Sequence, residues 1–239
     1  MITLSRIEES APLRRIARLL PSVVKQSIKA RLRFHGVRRA LKPLRTRGEM
    51  TESEVSAFHK AWGNEGFAAD RTYLTQLLRL LKSGSGPVLE CGTGGTTLLA
   101  NEMGVRQGFT TYCLEQEYSW AEALQWRPQA VEVLDTPLRN FGEYHWYDVR
   151  AQLPSHFALV VCDGPRIDRA LGEPHHPAWR YGVLPWLERT GRTYDALLLD
   201  DVDDSRAPAV LERWRREFGV KIECIRSGDG ECAIIRPAG

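Results

Sequence analysis

Between residues 88 and 199 the sequence carries short, mainly apolar runs separated by segments long enough for a helix, and this pattern constrains the fold most tightly. The runs cover residues 88–91, 109–114, 130–134, 157–162 and 194–199, and the first follows the turn cluster Ser83-Gly84-Ser85-Gly86-Pro87. A run whose apolar residues are not confined to alternate positions belongs to a strand covered on both faces. Strands alternating with helices are joined by right-handed crossovers and build a parallel sheet. Residues 97–103, 119–125, 179–189 and 207–218 fit the crossover helices. Beyond them the period changes: residues 220–225 and 231–235 flank Ser227-Gly228-Asp229-Gly230, the pattern of an antiparallel hairpin. The expected fold is α/β, a doubly wound, mostly parallel seven-stranded Rossmann-like sheet with a C-terminal antiparallel hairpin.

Ahead of this body the chain is helical and basic. The formal net charge of +3 averages two unlike parts, because residues 1–50 hold 13 Lys/Arg against 3 Asp/Glu while residues 51–239 hold 20 against 27. Residues 1–50 therefore read as a basic helical extension and residues 51–239 as the main domain, whose first part, 51–82, is also helical. In residues 10–47 Ile16, Leu20, Val24, Ile28 and Leu32 recur at steps of four, with Pro21 starting a second helix and Gly36, Pro43 and Gly48 closing the region. Thr51 and Glu54 form a capping-box pair for the next helix.

A cationic amphipathic arm of this kind suits peripheral contact with an anionic membrane, or packing on its own domain or on a second copy in a homodimer. It lacks the interleaved aromatics of a nucleic-acid binder, so no nucleic-acid partner is expected. Five cysteines without zinc spacing give neither a disulfide framework nor a metal knuckle, and a reducing cytoplasm is the default compartment. No apolar window reaches the ~20 residues of a membrane span, and the arginine-bearing N-terminus does not read as a signal peptide.

The strongest local signal is Val88-Leu89-Glu90-Cys91-Gly92-Thr93-Gly94-Gly95-Thr96-Thr97, a strand running into a glycine-rich turn and then a helix. Doubly wound sheets bind ligands at such carboxyl ends. As a dinucleotide fingerprint it is incomplete, since Thr97 stands where the third glycine belongs, and Glu90 would oppose a pyrophosphate but suit a cationic or zwitterionic ligand. The second strand ends at Glu115, a carboxylate placed to accept both hydroxyls of an adenosine ribose, or else to cap the next helix.

Glu90-x-Gly92-x-Gly94, the acidic end of strand two and the terminal hairpin resemble the class I S-adenosylmethionine-dependent methyltransferases. Over about residues 58–239 the chain is further similar to a bacterial group within that class. The shared pieces are Ala61-Trp62-Gly63-Asn64, the Leu-Glu-Cys-Gly-x-Gly loop, Pro137-Leu138, Trp146-Tyr147-Asp148, Asp163-Gly164-Pro165, Arg180-Tyr181, Asp200-Asp201 and Arg213-Trp214. The resemblance implies S-adenosyl-L-methionine as cofactor and methyl transfer, with O-methylation of a small molecule or glycan as the expected reaction. It places Glu90, Gly92, Thr93, Gly94 and Thr96 around the methionine portion, Glu115 on the ribose and Asp135 near the adenine.

An acceptor hydroxyl must also lose a proton, to a base or through a metal. Asp163 is the candidate catalytic base. Asp163, Asp200 and Asp201 follow neighbouring strands and are candidate ligands for Mg2+; equally, the acidic turn opens a helix. His175 and His176 fall in the loop after strand four. The rival readings are a nicotinamide-dependent oxidoreductase and a non-catalytic binding protein of the same fold.

Overall fold

The computed structural model describes residues 35–63, 69–117, 128–165 and 180–238. Its main sheet has seven strands: β1 (Val88–Cys91), β2 (Thr111–Glu115), β3 (Val131–Asp135), β6 (His156–Cys162), β7 (Thr193–Leu199), β8 (Lys221–Ser227) and β9 (Gly230–Arg236). They lie in the order β3-β2-β1-β6-β7-β9-β8. The first five are mutually parallel, while β9 runs antiparallel to β7 and to β8. The hairpin therefore inserts its last strand between β7 and β8, around the two-residue Gly228-Asp229 turn.

All five expected parallel strands are present, and those inside the sheet supply residues to both faces. Along β6, Val160 and Cys162 join the core beneath α5 (Val183–Arg189) and α6 (Ala207–Phe218), while Leu159 and Val161 join the opposite core. That second core lies beneath α2 (Glu52–Trp62), α3 (Arg71–Ser83) and α4 (Gly95–Gln107). Cys91, Cys113 and Cys162 are free and buried within these layers. Register aligns the strand ends, with Cys91 opposite both Leu114 and Cys162, and Cys162 opposite Leu199. Everything that follows these residues in sequence, Gly92, Glu115, Asp163 and Asp200, thus meets on one edge.

Residues 35–40 and α1 (Lys42–Arg47) continue the second core toward the N-terminus. Val37, Leu41 and Leu44 are buried in it, and Arg45 forks onto Glu102 of α4 at 2.8 and 2.7 Å. Pro43 opens α1 instead of closing the region, since a first-turn residue has no helical N–H bond to lose, and Gly48 ends it in the left-handed conformation at φ 79°. Gly36 likewise sits within a helical stretch. The capping box forms: the Glu54 N–H donates to Thr51 Oγ1, and the Thr51 N–H donates to Glu54 Oε2. The repeat at Ile16–Leu32, Pro21, and the helix expected at 119–125 lie outside the described residues.

Two features go beyond the sequence expectations. The segment carrying Pro137-Leu138 and Trp146-Tyr147 forms a separate antiparallel ribbon of β4 (Leu138–Asn140) and β5 (His145–Tyr147). The helix expected from residue 179 starts at Val183, after a turn over 180–182. Among the described residues no helix is long and apolar enough to cross a membrane.

Candidate functional site

At the end of β1 the chain turns at Gly92, whose φ of 91° lies in the left-handed region that glycine tolerates. Its N–H donates to Leu114 O at 2.9 Å, tying the turn to β2. On the other side the Gly164 N–H donates to Cys91 O at 2.6 Å, tying it to the loop after β6. A Cβ at position 164 would lie 2.9 Å from Cys91 O and collide with the Tyr147 hydroxyl. Gly164→Ala is accordingly expected to cost about 1–3 kcal/mol through overpacking, read by urea unfolding; unchanged stability would contradict this close approach. Among the described residues the nearest atom to a Cβ on Gly94 would be Thr96 Oγ1, 4.0 Å away. The Gly94 N–H donates to Thr97 Oγ1 at 2.8 Å, fixing the entry to α4.

Glu115 holds this loop from β2. Its Oε2 accepts from the Thr93 N–H at 3.0 Å and from Thr93 Oγ1 at 2.5 Å, and its Oε1 accepts from the Glu117 N–H at 2.8 Å. The side chain therefore both clamps the glycine turn and holds the first residues that follow β2. Asp135 lies opposite Glu115 in the register and is exposed, one strand further out. Beside it Thr136 is buried, its N–H donating to Glu115 O at 2.8 Å.

Glu90 is placed differently from the rest. Its carboxylate is fully buried below the first turn of α4, accepting from Thr96 Oγ1 at 2.5 Å and from Cys113 Sγ at 2.9 Å. Burial raises its pKa to about 7, and the Cys113 and Thr96 hydrogen bonds oppose the shift without cancelling it. Glu90 and Thr96 thus support the loop from beneath and do not line its open side.

The loops after β6 and β7 bring Asp163, Asp200 and Asp201 together, as the strand register requires. Arg180 lies among them. Its Nη2 donates to Asp163 Oδ1 at 3.0 Å and to Asp201 Oδ2 at 2.6 Å, and its Nη1 to Cys162 O at 3.5 Å. The arginine is 6 % exposed, whereas the Asp163 and Asp201 side chains retain 30 % and 55 % exposure. Asp201 adopts a φ of 54°, which aspartate tolerates better than most residues. Burial drives the pKa of Asp200 well up, reinforced by Asp163; burial also raises that of Asp163, against the pull of Arg180. The expected Mg2+ site does not fit this arrangement. A hard divalent ion needs several oxygen ligands around one point, and here two of the three carboxylates are already bridged by a guanidinium. Among the described residues no group of three or more His, Cys, Asp or Glu side chains is arranged to hold a metal ion.

Three contributors at this edge carried no assigned role in the sequence reading. Trp62, at the end of α2, covers Gly95, where a Cβ would lie 3.3 Å from the indole. The Tyr147 hydroxyl packs against Gly164, and Arg180 provides the charge at the carboxylate cluster. All three stand in the short motifs quoted above, but spacing alone does not reveal which strand end each one reaches. His175 and His176 lie outside the described residues, as do Trp120, Trp126 and Trp179. Trp186 and Trp214 are buried in the core.

No family model matches the sequence, and no curated protein sequence matches it. Solved structures do match. The chain is similar to an O-methyltransferase from Bacillus cereus in complex with SAH, at a TM-score of 0.50 and 14 % identity, over 84 % of this chain and 97 % of that one. The fold is the class I methyltransferase fold. An SAH-bound methyltransferase from Podospora anserina is also similar, at a TM-score of 0.46 and 14 % identity, over 92 % of this chain and 99 % of that one. Likeness at such identity is one of fold.

Proposed function

We propose that the protein is an S-adenosylmethionine-dependent methyltransferase acting on an oxygen of a small molecule or glycan. One observation carries the reading: Glu115 at the end of β2 grips the Gly92-Thr93-Gly94 turn at the end of β1, beside the half-exposed Asp163, on the ligand-binding edge of this fold. The residues fit the cofactor. Among the described residues no atom would come closer than 4.0 Å to a Cβ at Gly94, which favours a ligand close to the backbone, and the acidic rim suits a cationic one.

In this reading Thr93 and Gly94 face the methionine portion, Glu115 accepts the ribose hydroxyls, and Asp135 stands on the adenine side. Bound S-adenosylmethionine supplies a methyl group already activated on a sulfonium, so that the protein's main task is alignment. Glu115 preorganises that alignment by fixing the Thr93 N–H and hydroxyl in one position. Asp163 receives the acceptor hydroxyl's proton as the new O–CH3 bond forms and the electron pair of the broken C–S bond stays on sulfur. Its raised pKa makes it a better proton acceptor than an ordinary aspartate.

Calorimetry of the full chain with S-adenosylhomocysteine, S-adenosylmethionine and NAD tests the reading. Binding of the first two is expected. Binding of NAD alone would establish the oxidoreductase alternative, and no binding of any would leave a non-catalytic protein of this fold.

The basic arm remains part of the proposal as a contact to an anionic membrane. In residues 35–47 the apolar side, Val37, Leu41 and Leu44, is used by the domain's own core, and Arg38, Arg39 and Lys42 are exposed on the other side. What this stretch offers a membrane is charge and not apolar insertion. Flotation with anionic vesicles is therefore expected to fall steeply with added salt; salt-independent flotation would contradict it.

A further inference from the structure

We propose that Arg180 is the resident cation of the Asp163–Asp200–Asp201 cluster, a positioning residue that makes a divalent metal unnecessary at this edge. The inference deepens the methyltransferase reading and rests on it for what the cluster positions. One guanidinium nitrogen bridges carboxylates from two neighbouring strand ends, 3.0 Å from Asp163 and 2.6 Å from Asp201, and another reaches the carbonyl of Cys162. A planar guanidinium keeps its charge at any working pH and offers several donors in fixed directions, which suits it to joining carboxylates in a buried place. A divalent ion at the same carboxylates would sit within a few ångströms of that charge and would have to expel it.

The backbone leaves Arg180 little room to withdraw. The following residue, Tyr181, has its carbonyl held by Trp214 Nε1 at 3.0 Å. At the next, Gly182, a Cβ would fall 2.8 Å from both Trp146 and Tyr144, so the turn is pressed against the β4–β5 ribbon. Arg180 is thereby anchored from the far side of the core. The consequence for Asp163 is directional. Its Oδ1 is engaged by the arginine, and its side chain keeps 30 % exposure toward the edge where an acceptor would approach.

The test uses the full chain as wild type, Arg180→Ala and Arg180→Lys, each titrated with Mg2+ by calorimetry and melted with Mg2+ or with EDTA. Wild type and Arg180→Lys are expected to give no binding heat and no shift in melting temperature. Arg180→Ala leaves the carboxylates without their cation, and Mg2+ is expected to raise its melting temperature by roughly 3 °C per tenfold increase above the dissociation constant. Should Arg180→Ala fail to fold, Arg180→Gln, which keeps the packing of the stem, takes its place. Mg2+ binding to the wild type overturns the proposal, as does a folded Arg180→Ala or Arg180→Gln that ignores Mg2+. S-adenosylhomocysteine titrated into the same wild-type sample separates the two readings, because its failure to bind removes the methyltransferase reading while the Mg2+ results still decide the cation.

Discussion

Glu115→Ala is expected to lower the affinity for S-adenosylhomocysteine by roughly 100-fold or more, measured by calorimetry on the folded variant. Two losses combine. In the proposed complex the carboxylate accepts ribose hydroxyls, and a hydrogen bond to a charged group contributes about 1.5–3 kcal/mol, each 1.4 kcal/mol being a factor of ten. In the free protein the same carboxylate accepts from the Thr93 N–H, the Thr93 hydroxyl and the Glu117 N–H, so its removal also loosens the turn that the ligand approaches. Glu115→Gln separates these losses. It keeps the size of the side chain and one acceptor oxygen, and its affinity is expected to lie between wild type and Glu115→Ala. Equal affinity in all three proteins would remove Glu115 from the cofactor site.

Glu90 gives the second large effect, on stability and not on binding. Its folded pKa is about 7 against an ordinary value of 4.5, because the carboxylate is wholly buried under α4. Below pH 4.5 the group is protonated in both the folded and the unfolded chain. Between 4.5 and about 7 the unfolded chain loses the proton that the folded chain retains, so this group's contribution falls as pH rises; above 7 the deficit is constant. The deficit amounts to about 3 kcal/mol, at 1.36 kcal/mol per pKa unit. Glu90→Gln does not titrate and still accepts from Thr96, so its urea-unfolding free energy relative to wild type should climb by that amount from pH 4.5 to 7. Parallel curves across this range would show that Glu90 is not buried as described.

Much of this site was legible because the signals are local. Mainly apolar runs identify β1, β2, β6 and β7 because a strand between two helical layers needs hydrophobic residues on both faces, while β3, at the sheet edge, keeps Glu132 and Asp135 exposed. The residue after each run must then fall at the sheet's carboxyl edge, which is how Gly92, Glu115, Asp163 and Asp200 could be grouped. The terminal hairpin was readable from Gly228-Asp229, but its place was not. That β9 slips between β7 and β8 follows from which edge remains open after five strands have paired, a property of the whole sheet.

The partners of the acidic residues were less legible. Glu90 was expected to face the ligand, yet β1 directs it to the α4 side, where Thr96 and Cys113 satisfy it. Three aspartates at adjacent strand ends pointed to a metal, since carboxylates that converge need a cation. The cation is Arg180, which lies well away in sequence and comes close only because the turn before α5 packs on Trp146 and Tyr144. The same holds for residues 37–44, where a basic stretch conceals an apolar side used by the core.

By itself, the sequence determined the layers, the glycine turn and the acidic edge, because periodicity and turn chemistry act over a few residues. Only the tertiary structure decided what each carboxylate faces. Burial and pairing depend on contacts between segments far apart in the chain, and those contacts separate a buried Glu90 from a loop-clamping Glu115 and an arginine-bridged Asp163.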